Sequence, residues 1–139
     1  MNKSKTNHTK TETISKMRQM RLLGMAKAFQ LTMESGKNES FTPDEMISHL
    51  VESEWDERYN RKLDRSIKAA RFRYRSSAEQ IDFSENRVNK NQVLRLVECD
   101  FIKRAENIIV TGSTGIGKSF LASAIGHQAC SLGYRVLYQ

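Results

Sequence analysis

Apolar and polar positions follow two different rhythms along this chain. From 14 to 33 apolar residues recur at helical spacing, with Met17, Met20, Met25, Ala28, Phe29 and Leu31 supplying a surface. That pattern predicts one helix whose methionines fill irregular gaps in a core. Ahead of it, residues 1–12 are small, polar and lysine-bearing, which predicts a disordered N-terminus. The pattern breaks over 34–40, where Gly36 and Asn38 are turn residues.

The next helix has a well-marked start. Thr42 is a good N-cap, Pro43 suits the first helical position and Glu45 completes a capping box. Phe41 and Met46 are placed to form a hydrophobic staple, and the helix is expected to run to about Ala70. On a wheel with Trp55 at zero, Tyr59, Leu63, Ala70 and Ile67 fall at roughly 40°, 80°, 60° and 120°, one apolar face. Arg58, Arg61, Lys62, Arg65 and Lys68 fall opposite, between roughly 220° and 340°.

After 76 the rhythm changes. Residues 76–91 read as an irregular connector in which Ile81 and Phe83 dock on a neighbouring surface. Val93, Leu94, Leu96 and Val97 predict a helix toward Phe101 and Ile102, and Ala105, Glu106 and Asn107 turn the chain. Ile108, Ile109, Val110 and Thr111 form a short β-branched run that reads as a buried parallel strand. A helix follows through Phe120, Leu121, Ala122, Ser123, Ala124 and Ile125, and Gly133 is its left-handed C-cap. Residues 134–138 read as a second strand, parallel to the first by a right-handed crossover.

Between the first strand and that helix lies the chemistry. Gly112, Ser113, Thr114, Gly115, Ile116, Gly117, Lys118 and Ser119 fit G-x-x-x-x-G-K-[ST], the phosphate-binding loop, in its required strand–turn–helix setting. The glycines let successive backbone N–H groups turn inward on an anion, and the helix N-terminus faces the same anion. Lys118 is the catalytic candidate, reaching the β- and γ-phosphates, and the Ser119 hydroxyl is the candidate ligand for Mg²⁺. Phe120 completes the nucleotide-binding stretch.

Charge extends the picture. The chain has 23 Lys and Arg against 16 Asp and Glu, a net charge of +7. The excess is concentrated at Arg58, Arg61, Lys62, Arg65, Lys68, Arg71, Arg73 and Arg75, with Phe72 and Tyr74 interleaved and Asp64 the one acid from 58 to 75. A single-sign stripe rich in arginine favours phosphate contacts over plain solvation, so these eight residues are the DNA-binding candidates. A helix lying on a membrane surface is a weaker reading, because it needs a free apolar face. No run of eighteen apolar residues occurs, and the polar N-terminus lacks a signal peptide's apolar core. Cys99 and Cys130 stand far apart, and His8, His49 and His127 are scattered. Packed thiols in a reducing cytoplasm, without a metal site, are expected.

The expected organisation is a disordered 1–12, a basic helical DNA-binding domain over 13–75, a linker over 76–91 and the start of a P-loop NTPase domain over 92–139. The fold class is α/β: a helical domain, then the first strand–loop–helix–strand unit of a parallel sheet. Too few residues follow Lys118 for a second crossover of about 30 residues. Nucleotide hydrolysis needs an acidic residue after a later strand. The chain therefore reads as an N-terminal part of something longer, without hydrolytic competence of its own.

Taken together, these segments resemble the IstB family, AAA+ helper ATPases of insertion-sequence transposition related to DnaC-type helicase loaders. Residues 17–26 (MRQMRLLGMA) are similar to that family's first helix. Glu54 and Trp55 with Arg58, Asn60, Arg61 and Leu63 resemble its second, and Ala69, Ala70, Arg71, Phe72 and Tyr74 the segment after it. Residues 126–130 (GHQAC) with 133–136 (GYRV) resemble the stretch after its P-loop. The resemblance implies ATP and Mg²⁺ as cofactors and a homo-oligomer that assembles on double-stranded DNA and recruits or activates the transposase of its element. It implies no membrane partner. The family's later acidic motif, sensor residues and arginine finger have no counterpart in these residues. A helicase loader of replication or phage origin, and a fragment acting only as a DNA- or protein-binding module, are the alternatives. A small-molecule kinase ranks below them, since a basic N-terminal domain has no role there.

Overall fold

Helix termini explain most of this architecture. The computed structural model describes residues 2–84 and 88–139; residue 1 and residues 85–87, inside the expected tail and connector, lie outside the described residues. Six α-helices carry the described chain: α1 (Asn2–Gln19), α2 (Leu23–Glu34), α3 (Pro43–Ala70), α4 (Lys90–Val97), α5 (Asp100–Lys103) and α6 (Lys118–Ser131). The chain divides into an N-terminal unit, Met1–Lys62, and a C-terminal unit, Leu63–Gln139, with the boundary inside α3.

In the N-terminal unit the single helix expected over 14–33 is two. Arg21 adopts a left-handed φ of 59°. The N–H of Leu22 then reaches back to the carbonyl of Met17 at 2.8 Å, closing α1 in a Schellman turn. A left-handed residue at this position is usually glycine, which is why the sequence hides the break. At its other end α1 reaches back to Asn2, through residues expected to be disordered. Local pairs favour the helix there: Lys16 meets Glu12 at 2.8 Å and the Thr13 hydroxyl donates to the Thr9 carbonyl.

Helix α3 starts as its sequence dictates. The N–H of Thr42 donates to Glu45 at 2.8 Å, and the N–H of Glu45 donates to the Thr42 hydroxyl at 3.3 Å. Phe41 stacks on His49, with ring centroids 5.5 Å apart. The face that packs is not the one the wheel suggests. Trp55 is 74% exposed and Tyr59 48%, while Glu54 is buried. Gly24 of α2 decides this: a Cβ there would meet the Ser53 carbonyl and lie 2.7 Å from Glu57 Cβ and 2.9 Å from Glu54 Cα. Helix α2 therefore sits directly on the Ser53, Glu54 and Glu57 side of α3.

The C-terminal unit is built around α6, whose Ser123, Ala124, Ile125, Ala129 and Cys130 are buried. Ala70 is fully buried. A Cβ at Gly126 would lie 2.5 Å from the Phe72 ring and 3.4 Å from Val136, so the ring fills the space that glycine leaves. The Ser76 hydroxyl donates to the Phe120 carbonyl at 3.2 Å, and the N–H of Tyr138 donates to the Ala70 carbonyl at 2.8 Å. These contacts join 70–76 to the P-loop helix, so the units divide at 62/63 where the sequence suggested 75/76.

Within the expected connector, Ser77 and Gln80 form a capping box around a short 3₁₀ turn, and Ile81 and Phe83 are half-buried. The helix expected from Val93 to Ile102 is divided at Cys99, which has a φ of 58°. Gly133 closes α6 with a φ of 90°, and the N–H of Tyr134 reaches the Ala129 carbonyl at 3.0 Å. The two expected strands are extended or irregular, and no strand is formed among the described residues. A strand is defined by its ladder, and Ile109, 85% exposed, has nothing packed over it.

Candidate phosphate-binding site

The loop preceding α6 owes its shape to glycine. Gly117 is the N-cap of α6 with a φ of 92°, in the region that costs other residues about 1–2 kcal/mol. The first helical hydrogen bond at this end runs from the N–H of Leu121 to the carbonyl of Gly117 at 2.9 Å. The N–H groups before it therefore open from the helix end, where the dipole is positive.

Lys118 is the first residue of α6 and folds back over the loop. Its Nζ donates to the carbonyls of Gly112 and Ser113 at 2.7 and 2.6 Å. The ammonium is thus held over the ring of backbone that would surround an anion. Residues 112–117 are exposed, and Lys118, Ser119 and Phe120 are half-buried at the helix start. The expected phosphate-site residues run consecutively through the loop into the first turn of α6, with the Lys118 ammonium bonded back to the loop. Donor N–H groups, a lysine and one hydroxyl are the kinds of group that hold a phosphate chain.

Beside the loop opens a cleft of about 590 Å³ whose lining includes Gln92, Arg95, Leu96, Ile109, Ile116 and Leu121. Of these only Ile116 belongs to the phosphate-loop motif, so sequence spacing missed the rest of the cleft; it is made by α4, the run before the loop and the first turns of α6. At its rim Arg104 pairs with Glu106 at 3.1 Å.

The DNA-binding candidates are divided by their surroundings. In the N-terminal unit Arg58 Nε donates to Glu54 at 2.7 Å, and Arg61 lies 3.4 Å from Glu57. Acids one turn earlier therefore face two of the basic residues, which the count over 58–75 excluded. Lys62 is exposed. In the C-terminal unit Lys68, Arg71 and Arg75 share a cleft of about 540 Å³ with Tyr74, Gln80 and His127. Arg65 is exposed on α3, and Arg73 stands over the Tyr74 ring at 5.6 Å.

Glu54 is the residue whose role the sequence conceals. It is buried, and its carboxylate accepts the N–H of Met25 at 3.1 Å as well as Arg58. Burial, the largest single influence, raises its pKa; Arg58 and the N–H groups of Met25 and Gly24 together outweigh it and hold the group below 4.5. Both thiols are buried, and burial raises the pKa of each, with Asp100 adding to the effect at Cys99. No group of three or more His, Cys, Asp or Glu residues gathers to hold a metal among the described residues.

Residues 15–139 match the model of the family described as IstB-like ATP binding protein. The chain is 38% identical over 128 residues to an insertion sequence ATP-binding protein of Sinorhizobium fredii, covering 91% of this chain and 52% of that relative. It is 35% identical over 128 residues to the insertion sequence IS1162 ATP-binding protein of Pseudomonas fluorescens, covering 91% and 55%. With the insertion sequence IS21 ATP-binding protein of Pseudomonas aeruginosa it shares 34% over 95 residues, covering 68% and 36%. The chain spans about half the length of the first two.

Proposed function

The chain belongs to the IstB-like ATP-binding protein family, and on that premise we propose that residues 112–120 hold ATP for a helper of insertion-sequence transposition. The observation that carries the reading is Lys118 Nζ, held over its own loop by the carbonyls of Gly112 and Ser113. Donors at the α6 N-terminus take the phosphates, Lys118 neutralises them, and Ser119 takes Mg²⁺. Residues 108–111 then supply a buried strand ahead of the loop, parallel to 134–138.

In the same reading Lys62, Arg65, Lys68, Arg71, Arg73 and Arg75 meet the phosphates of double-stranded DNA, with Arg58 and Arg61 contributing beside their acids. Homo-oligomers then recruit the element's transposase, in the cytoplasm. No helix among the described residues is long and apolar enough to cross a membrane.

The test is the melting temperature with Mg²⁺ and ATP. Saturation at a hundredfold excess over Kd stabilises the chain by about 2.7 kcal/mol. The K118A variant loses the shift while melting normally without nucleotide; an equal shift in both proteins would overturn the assignment.

A further inference from the structure

The short strap that follows α3 divides its residues between two duties. Ala70 is fully buried, the Phe72 ring fills the space at Gly126, and the Ser76 hydroxyl donates to the Phe120 carbonyl at 3.2 Å. These residues fasten the strap to α6. Between them Arg71, Arg73, Tyr74 and Arg75 are exposed. Arg71, at a φ of 57°, ends α3 and turns the chain.

The exposed residues do not make a flat strip. Lys68 from the last turn of α3, Arg71, Tyr74 and Arg75 from the strap, Gln80 from the 3₁₀ turn and His127 from α6 line one cleft of about 540 Å³. The cleft lies wholly within the C-terminal unit. Its volume falls in the range of sites for small molecules, about 300–1,000 Å³.

Charge inside the cleft is uncompensated. Arg58 and Arg61 are held by Glu54 and Glu57, whereas Lys68, Arg71 and Arg75 make no ion pair among the described residues. Asp64 is the one acid on the lining. Cations gathered in this way repel one another, and a bound anion relieves the repulsion.

An aromatic ring stands among them. Tyr74 is 42% exposed, and the Arg73 guanidinium lies over its ring, 5.6 Å from the centroid. Gln80 Oε1 accepts the N–H of Ser77 at 3.1 Å, which fixes the amide and leaves its NH₂ as a donor. Cations for a phosphate, a ring for a base and a donor for a base edge are what a single nucleotide needs. Intact duplex keeps its bases stacked inside and offers the protein phosphates and groove edges only. A nucleotide swung out of the stack offers the face of its base as well.

We infer that this cleft takes one unpaired nucleotide of a DNA strand, its phosphate on Lys68, Arg71 and Arg75 and its base against Tyr74. The inference rests on the DNA-binding reading above and narrows its ligand to duplex interrupted by an unpaired nucleotide. Contact with a row of phosphates would use the arginines but neither the concave shape nor the tyrosine.

Fluorescence anisotropy of the full chain with three labelled DNAs tests this. They are an intact duplex, the same duplex with one extra unpaired nucleotide, and that bulged duplex with an abasic unit in place of the nucleotide. The bulged duplex should bind about tenfold tighter than the other two. Y74A should bring it down to the affinity of the intact duplex, and Y74F should keep the preference, both with unchanged helix content. K68A and R75A should weaken binding to all three and each lower the salt slope by about one. A 2-aminopurine at the unpaired position should change its emission on binding the parent and Y74F, but not Y74A. Equal affinity for intact and bulged duplex would overturn the inference and leave the DNA-binding reading standing. Absence of salt-dependent binding to any of the DNAs would overturn both. An abasic bulge bound as tightly would assign the preference to bending of the duplex, and displacement of the bulged duplex by free deoxynucleoside monophosphate would assign the cleft to a free nucleotide; either result overturns the inference.

Discussion

The carboxylate of Glu54, midway along α3, accepts the backbone N–H of Met25 in the first turn of α2 at 3.1 Å. Leu22, the N-cap of α2, makes no side-chain capping bond of its own. A residue from another helix thus does what a serine or aspartate ordinarily does locally, and it ties α2 to α3. Arg58, one turn on, holds the same carboxylate in place.

Replacing Glu54 by Ala leaves the α2 N-terminus uncapped and should cost about 1–3 kcal/mol, read as a lower melting temperature. Acid should act in the same direction. The Glu54 pKa is held below its ordinary 4.5 in the folded chain, so its contribution is fully present above that value. It is lost as pH falls through the lower folded pKa. In Glu54→Gln the fall in stability below pH 4.5 should be shallower; an unchanged slope would show that other carboxylates dominate.

Gly24→Ala places a methyl group against the Ser53 carbonyl and within 2.7 Å of Glu57 Cβ. Backbone cannot move aside cheaply, so a loss of about 1–3 kcal/mol is expected in a denaturant titration. The Ala variant melting at the parent temperature would show that the contact of Gly24 with α3 does not limit stability.

Ser123 is fully buried in α6, and its hydroxyl has no hydrogen-bond partner among the described residues. Ser123→Ala removes an unsatisfied polar atom with little change of shape. A gain of about 1 kcal/mol is expected, roughly 3 °C in melting temperature.

Gly117→Ala keeps open space around the new methyl but forces a left-handed conformation on it. The expected cost is about 1–2 kcal/mol, together with loss of the ATP-dependent thermal shift, because the loop must distort to relieve the strain. Retention of the full shift would count against the loop geometry.

For DNA, reversing Lys68, Arg71 and Arg75 to Glu should abolish binding to a duplex in a fluorescence titration. In the parent, affinity should fall steeply with salt, with a slope of about 0.9 for each phosphate contacted. An affinity that hardly changes between low and moderate salt would remove the electrostatic basis of the claim.

Some of this chain was legible because its signals are local. Thr42, Pro43 and Glu45 announce the start of α3, and Gly133 the end of α6, through groups a few residues apart. The phosphate loop is legible for the same reason, since Gly117, Lys118 and Ser119 act as consecutive residues. The break at Arg21 escaped because an arginine in a left-handed conformation has no sequence signature. Gln92, Arg95 and Leu96 escaped because the cleft they line exists only once α4 stands beside the loop.

By itself, then, the sequence determined the start of α3, the glycine-shaped loop with Lys118 inside it, and the family to which the chain belongs. Each depends on residues near one another along the chain. Tertiary structure decided which face of α3 is covered. Helical periodicity favours burying Trp55 and Tyr59, but Gly24 admits the backbone of α2 only on the Glu54 side. A close approach between helices is settled by which side chain is missing on the partner. That is why the buried residue is a glutamate and the exposed one is the tryptophan.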